Sequence, residues 1–253
     1  MLQVMIMKQK KVIYILLAGM MLSSSIVLGG CSIHNEQNKA PQTVKETKTK
    51  TNVDQNTNFE VPAKSEKQDN KVIMNMELDV QENNFYCGPA VVKTILQYFG
   101  IDRTQGQLAE AMHTSSITGT EYADITQVLN QEVFHRENPG YQENGYHVHT
   151  LPIQNNSPDE KKNWQLRMRK NIDDGYPSIL AVDMHTLYPQ MKRANHFVIC
   201  VGYLADQENE ITYFYILDPF YGVQDETYGG LKYFSPTELW SAIAENEEPA
   251  YIY

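Results

Sequence analysis

Hydrophobic and polar positions divide the 253-residue chain into three regimes. Behind Lys8, Lys10 and Lys11 runs a nearly unbroken apolar stretch, Val12 to Leu28. Ser32 to Asn70 is polar, with Ile33, Val44, Val53, Phe59 and Val61 as its only sizeable apolar residues, too few to bury a core. From residue 71 to Tyr253 the pattern becomes periodic and predicts a folded domain. Val72 to Val80, rich in β-branched and apolar residues, reads as an extended approach, and Cys87 to Gly100 as an amphipathic helix with Pro89 in its first turn. Further helices are expected from Thr104 to Met112 behind a Thr104/Gln107 capping box, and from Tyr122 to Val133, where Ile125, Val128 and Leu129 fall at helical spacing. Two more run from Ser157 to Gly175 and from Ser235 to Ala244, each opened by a capping-box sequence with proline at the first helical position. Strands are predicted at Tyr146 to Leu151, Pro177 to Asp183, Asn195 to Tyr203, Ile211 to Leu217, Leu231 to Phe234 and Ala250 to Tyr253. Helices concentrated early and strands late give an α+β domain of two lobes, helical and antiparallel β, with a cleft between them.

Candidate chemistry begins at the first helix. Cys87 sits where an extended segment turns into that helix, and the unpaired N–H groups and positive dipole end there favour a thiolate. The expectation is a thiol pKa below the ordinary ~8.5. Gln81, six residues upstream, is placed so that its side-chain amide can fold back beside the Cys87 backbone N–H and offer two donors to one oxyanion.

The late hairpin supplies the other groups. Asn195 to Tyr203 and Ile211 to Leu217 flank the polar Leu204 to Glu210, whose centre is Gln207. Pairing symmetric about that centre sets His196 directly opposite Asp218, with Cβ atoms about 5 Å apart on one face. A one-residue bulge would break the contact. The residue count therefore predicts a carboxylate holding an imidazole. The loop from Met184 to Ala194, with His185 and Tyr188, reads either as a rim of the cleft or as a plain solvent-exposed connection.

Gln81, the run Cys87-Gly88-Pro89-Ala90 opening a helix, Asn195-His196 opening a strand and Asp218-Pro219 closing one together resemble the papain-like cysteine peptidases, closest to the bacteriocin-leader-processing (double-glycine) peptidase-like family. The resemblance spans Val72 to Tyr253. It implies a papain-like fold and a Cys-His-Asp triad: Cys87 as nucleophile, His196 as general base and acid, Asp218 orienting the imidazole, and Gln81 with the Cys87 N–H as oxyanion donors. It implies a peptide or protein substrate and no cofactor. Double-glycine peptidase domains ordinarily precede a membrane transporter, whereas this sequence ends after the domain. Extracellular peptides, including the cell's own secreted products, or isopeptide and other amide bonds are then the expected substrates. The competing reading is a catalytically inactive papain-like domain, peptide-binding or structural, in which Cys87 is a small buried hydrophobe.

Composition changes the picture at three points. The net charge of -10, with the first 31 residues contributing only lysines, argues against nucleic acid as a partner. Lys8 to Lys11, the apolar run and Leu28-Gly29-Gly30-Cys31 resemble a bacterial lipoprotein signal, in which Cys31 is lipidated after cleavage behind Gly30. The alternative is an uncleaved anchor, since the run approaches the ~20 residues that span a bilayer. Either way the domains expected are a signal at 1–31, a disordered tether at 32–70 reaching about 35 Å, and the peptidase domain at 71–253 on the extracytoplasmic face of a membrane. Finally, Cys31, Cys87 and Cys200 are too few for a disulfide framework. A Cys87–Cys200 bridge conflicts with the His196 assignment, because Cys200 lies about 13 Å along the same strand whereas a bridge needs Cα atoms under ~7 Å. Cys200 is expected as a buried thiol. His147 and His149 share a strand face, but the spacing offers them no third metal ligand.

Overall fold

The computed structural model describes residues 66–68, 70–152 and 157–253. The signal-like segment with Cys31, and the tether up to residue 65, lie outside the described residues. Among the described residues no helix is long and apolar enough to cross a membrane.

In chain order the elements are β1 (Glu66–Gln68), β2 (Lys71–Ile73), α1 (Cys87–Tyr98), α2 (Gln105–Ala111), α3 (Tyr122–Phe134), β3 (Val148–Thr150), α4 (Pro158–Asp174), β4 (Ser178–Asp183), α5 (Met184–Leu187), β5 (Asn195–Ala205), β6 (Ile211–Leu217), β7 (Leu231–Phe234), α6 (Pro236–Ala244) and β8 (Ala250–Ile252). Helices packed on one antiparallel sheet make this the α+β architecture that the hydrophobic pattern predicts. The sheet starts at Glu66, slightly before the boundary at residue 71 that composition suggests, because β1 pairs with β2.

β5 organises the sheet. Along one edge it carries β4 at Asn195 to Cys200 and then β2 at Gly202 to Leu204, and along the other it carries β6. That sharing explains why only the start of the extended approach, Val72 to Val80, joins the sheet. Met74 makes a last backbone bond to Val201, and beyond it β4 already occupies the β5 edge, so the chain continues extended without a ladder. Gly202 permits the junction, since a Cβ there would lie 2.5 Å from the Val72 carbonyl oxygen. β4 is buried at every position, as its near-continuous apolar sequence demands.

The helix starts follow their capping chemistry. Thr104 and Ser235 form complete capping boxes with Gln107 and Glu238. Ser157 makes only half of one: it accepts from the Glu160 N–H, while the Glu160 carboxylate turns to His149, 3.3 Å away. The buried stripe of α1, Gly88 to Leu96, packs on β5 and fixes where Cys87 stands over the sheet.

Candidate active site

Local sequence dictates the start of α1. Pro89 lacks the N–H that a first turn leaves unpaired, and no side chain caps the Tyr86 position, so the backbone donors around Cys87 stay available. Gly88 is required by packing. A Cβ on it would meet Thr120 Oγ1 at 2.5 Å, and Thr120 is held in turn by Thr114 at 2.9 Å. The chain leading into the helix is pinned by α2. Buried Gln105 accepts from the Glu82 N–H at 3.0 Å and donates to the Val80 carbonyl at 2.8 Å and to Asp79. The Gln81 N–H bonds to Pro219 O at 2.9 Å, which joins the approach to the end of the hairpin. Gln81 is buried, and its Nε2 donates to Asn83 O at 2.7 Å; that nitrogen carries a second hydrogen.

The hairpin brings His196 and Asp218 together by a different register from the predicted one. Asp206 accepts from the N–H groups of Glu208 and Glu210, and Asn209 takes a left-handed φ of 69°, so the turn is centred one residue later than Gln207. Two bulges then cancel: Ala205 pairs Ile211, Leu204 pairs Tyr213 and skips Thr212, and Gly202 pairs Tyr215 while Cys200 pairs Ile216, skipping Val201. The ladder reaches Ile199 opposite Leu217, which leaves Asp218 diagonal to His196 rather than directly across. The offset is an even number of residues, so both side chains keep the same face. Diagonal neighbours remain within reach of long side chains, and His196 Nε2 lies 2.7 Å from Asp218 Oδ1. The other side of the ring meets the Cys87 thiol.

The pair is deeply buried, His196 at 6% and Asp218 at 0% exposure, whereas Cys87 is half-buried. Burial by itself would lower the imidazolium pKa. The Asp218 carboxylate, through charge and hydrogen bond, and the Cys87 sulfur outweigh that and push His196 up to about 10. Burial raises the Asp218 carboxyl, but the His196 charge and hydrogen bond, with donors from Phe220 and Tyr188, hold it below its ordinary value. At neutral pH the arrangement is an ion pair with its far nitrogen turned to a thiol. That geometry suits a nucleophile whose proton is held and delivered by the imidazole beside it.

Sequence reasoning missed several residues that shape this centre. Tyr188, in the loop read as a rim or a solvent-exposed connection, is instead buried, and its hydroxyl donates to Asp218 Oδ2 at 2.8 Å. The Phe220 N–H donates to Asp218 Oδ1 at 2.8 Å, and its ring stands edge-on to the imidazole at 6.2 Å. Gln224 clamps the turn by donating to the carbonyls of Asp218 and Phe220. Tyr122 packs edge-on to Phe197 beside Cys87; its phenol, donating to Glu248 O at 2.5 Å, is pushed up by burial first and then by the nearby Glu248 and Glu121 carboxylates. The Tyr188 and Tyr122 hydrogen bonds span 30 and 126 positions with no local pattern, whereas those of Phe220 and Gln224 are turn contacts. Only the aspartate-proline step hinted that a turn would wrap the carboxylate.

The remaining candidates lie elsewhere. Cys200 is a free thiol on β5, fully buried, and burial pushes its pKa up to about 12 against an opposing Gly202 N–H. His147 contacts Glu143 O and His149 contacts Glu160, and among the described residues no group of three or more side chains is arranged to hold a metal.

A thiol at a helix start facing an imidazole and a buried carboxylate, on helices packed against an antiparallel sheet, defines a papain-like fold of the cysteine-peptidase class. The chain belongs to the Peptidase_C39 like family, whose family model matches residues 73–244. Among solved structures it is similar to the peptidase domain of Streptococcus ComA, a bifunctional ABC transporter of a quorum-sensing pathway, at 17% identity and a TM-score of 0.43, covering 70% of this chain and 96% of that one. It is similar also to a double glycine motif protease from an AMS/PCAT transporter, solved with its leader peptide, at 14% identity and a TM-score of 0.41 over 73% and 96% of the two chains. A C39-like peptidase from Bacillus anthracis gives 16% identity and a TM-score of 0.46 over 73% and 98%. Among curated proteins, no sequence matches the chain.

Proposed function

We propose that the protein is a membrane-tethered, extracytoplasmic cysteine peptidase that hydrolyses peptide bonds through Cys87, His196 and Asp218. The observation that carries this reading is the position of the His196 ring, between the Cys87 thiol and the Asp218 carboxylate. In the first half-reaction Cys87 Sγ attacks the substrate carbonyl carbon while His196 holds the thiol's proton. Charge then develops on the carbonyl oxygen, and the Cys87 N–H with the second hydrogen of Gln81 Nε2 are its donors. As the C–N bond breaks, His196 returns the proton to the leaving amine. In the second half-reaction His196, now neutral, removes a proton from water, which attacks the thioester carbon; the C–S bond then breaks, the acid leaves and His196 keeps the proton. Asp218 stays ionised throughout and stabilises the imidazolium.

The direct test is hydrolysis of a peptide library by the purified domain. Cys87→Ala is expected to lower turnover by about 10³-fold or more with the fold intact by circular dichroism. Undiminished hydrolysis by that variant would refute the assignment. The tether is proposed from the Lys8 to Cys31 pattern. Intact cells should attach radiolabelled palmitate to the protein, and Cys31→Ser should block processing; a mature N-terminus elsewhere with no label would overturn this part alone.

A further inference from the structure

The connection between β4 and β5 is tied down by its own bonds. Asp183 caps α5 through the Thr186 N–H at 2.8 Å, Tyr188 N–H bonds to Met184 O at 2.8 Å, Met191 N–H bonds to Tyr188 O at 2.8 Å, and His185 Nδ1 lies 2.8 Å from Met191 O. The Tyr188 ring is thereby turned inward, edge-on to Phe234 at 5.9 Å. Its hydroxyl ends on Asp218 Oδ2, while Oδ1 receives His196 and the Phe220 N–H. Each carboxylate oxygen thus has its own donors, and they arrive from separate segments of the chain. Packing alone would be served by phenylalanine.

We infer that Tyr188 is a positioning residue of the proposed catalytic centre, whose hydroxyl fixes the rotation of the Asp218 carboxylate and, by sharing its charge, moderates the basicity of His196. The inference rests on the proposed peptidase reading. Rotation about the Asp218 Cβ–Cγ bond is the one freedom a two-oxygen acceptor retains, and a donor on Oδ2 removes it while Oδ1 stays on the imidazole. A hydrogen bond to Oδ2 also draws negative charge from the side that faces His196. The titratable groups facing Asp218 are His196 and Tyr188, and those facing His196 are Asp218 and Cys87. The Tyr188 phenol remains a donor across any assay range, because burial first and the Asp218 charge second push its pKa upward.

The test is Tyr188→Phe, which keeps the ring. Turnover should fall about tenfold, the usual worth of a hydrogen bond to a charged group, with KM nearly unchanged. The alkaline limb of kcat/KM, which reports loss of the His196 proton, should move to higher pH as the full Asp218 charge falls on the imidazole. In an Asp218→Asn background, Tyr188→Phe should change turnover by less than about twofold, because the hydroxyl acts through the carboxylate. An unmoved limb, a downward shift, or the same tenfold loss in the Asn background would each overturn the inference and leave Tyr188 as packing. Titration of the His196 ring by NMR reads the same upward shift without turnover. Failure of peptide hydrolysis in the wild-type protein would therefore count against the proposed function, while an unmoved ring titration would count against Tyr188.

Discussion

The two thiols of the folded domain are the same chemical group in opposite settings. Cys87 opens a helix, half-buried, with backbone donors uncapped beside it and an imidazolium across from it. Cys200 lies on the same strand as His196, yet it is sealed in the core with its pKa pushed up to about 12. What separates a nucleophile from a small hydrophobe here is the place of the residue on an element. A helix start supplies donors and a positive end, whereas the interior of a central strand supplies neither and removes water.

Alkylation is the sharpest way to break this comparison. With iodoacetamide at pH 6 in the folded protein, Cys87 should be modified about 100-fold faster than Cys200, as read by peptide mass spectrometry. Equal rates would remove the distinction on which the site depends. Unfolding in denaturant should bring the two rates together.

A smaller effect probes the second half of the centre. Asp218→Ala should lower kcat by about 100-fold, because orientation and stabilisation of the imidazolium are lost together. Asp218→Asn should cost less, since a neutral amide still orients the ring. Melting temperatures distinguish catalytic loss from unfolding, and a kcat that merely follows melting temperature would make Asp218 a structural residue.

These predictions rest on a fold whose legibility in the sequence was uneven. Helix starts were readable because capping is local: Thr104 with Gln107, Ser235 with Glu238, and Pro89 behind Cys87 each announce themselves within four residues. Pairing of His196 with Asp218 was readable for a subtler reason. The residue count misplaced the turn by one position and foresaw neither bulge, but the bulges cancel, and side chains care about parity more than about register. The shortness of β2 was not readable, because it depends on β4 occupying the β5 edge. Tyr188 and Gln105 were invisible for the same kind of reason. Each is one residue whose partner lies 30 or 25 to 26 positions away, and only the folded chain brings them together.

The smallest expected effect is on stability. His196 has a folded pKa of about 10, above its unfolded value of ~6.5, so its contribution is complete below about pH 6.5 and fades as pH rises through 10. Asp218 is shifted down, so its contribution is present above the unfolded carboxyl value and is lost on acidification. The melting-temperature gap between the wild-type protein and His196→Gln should therefore be widest near pH 5 to 6 and should shrink toward pH 10. A gap that grew with pH would mean that His196 is held neutral.

The central claim is that Cys87 is the nucleophile of a peptide-cleaving centre, and a peptidyl electrophile tests it most directly. Incubation of the folded protein with a peptidyl chloromethyl ketone, followed by digestion and mass spectrometry, should place a single adduct on Cys87. The adduct should form far more slowly in His196→Ala and at the same reagent concentration should be absent from Cys200. An adduct on Cys200, or labelling of Cys87 no faster than in the urea-unfolded chain, would contradict the account.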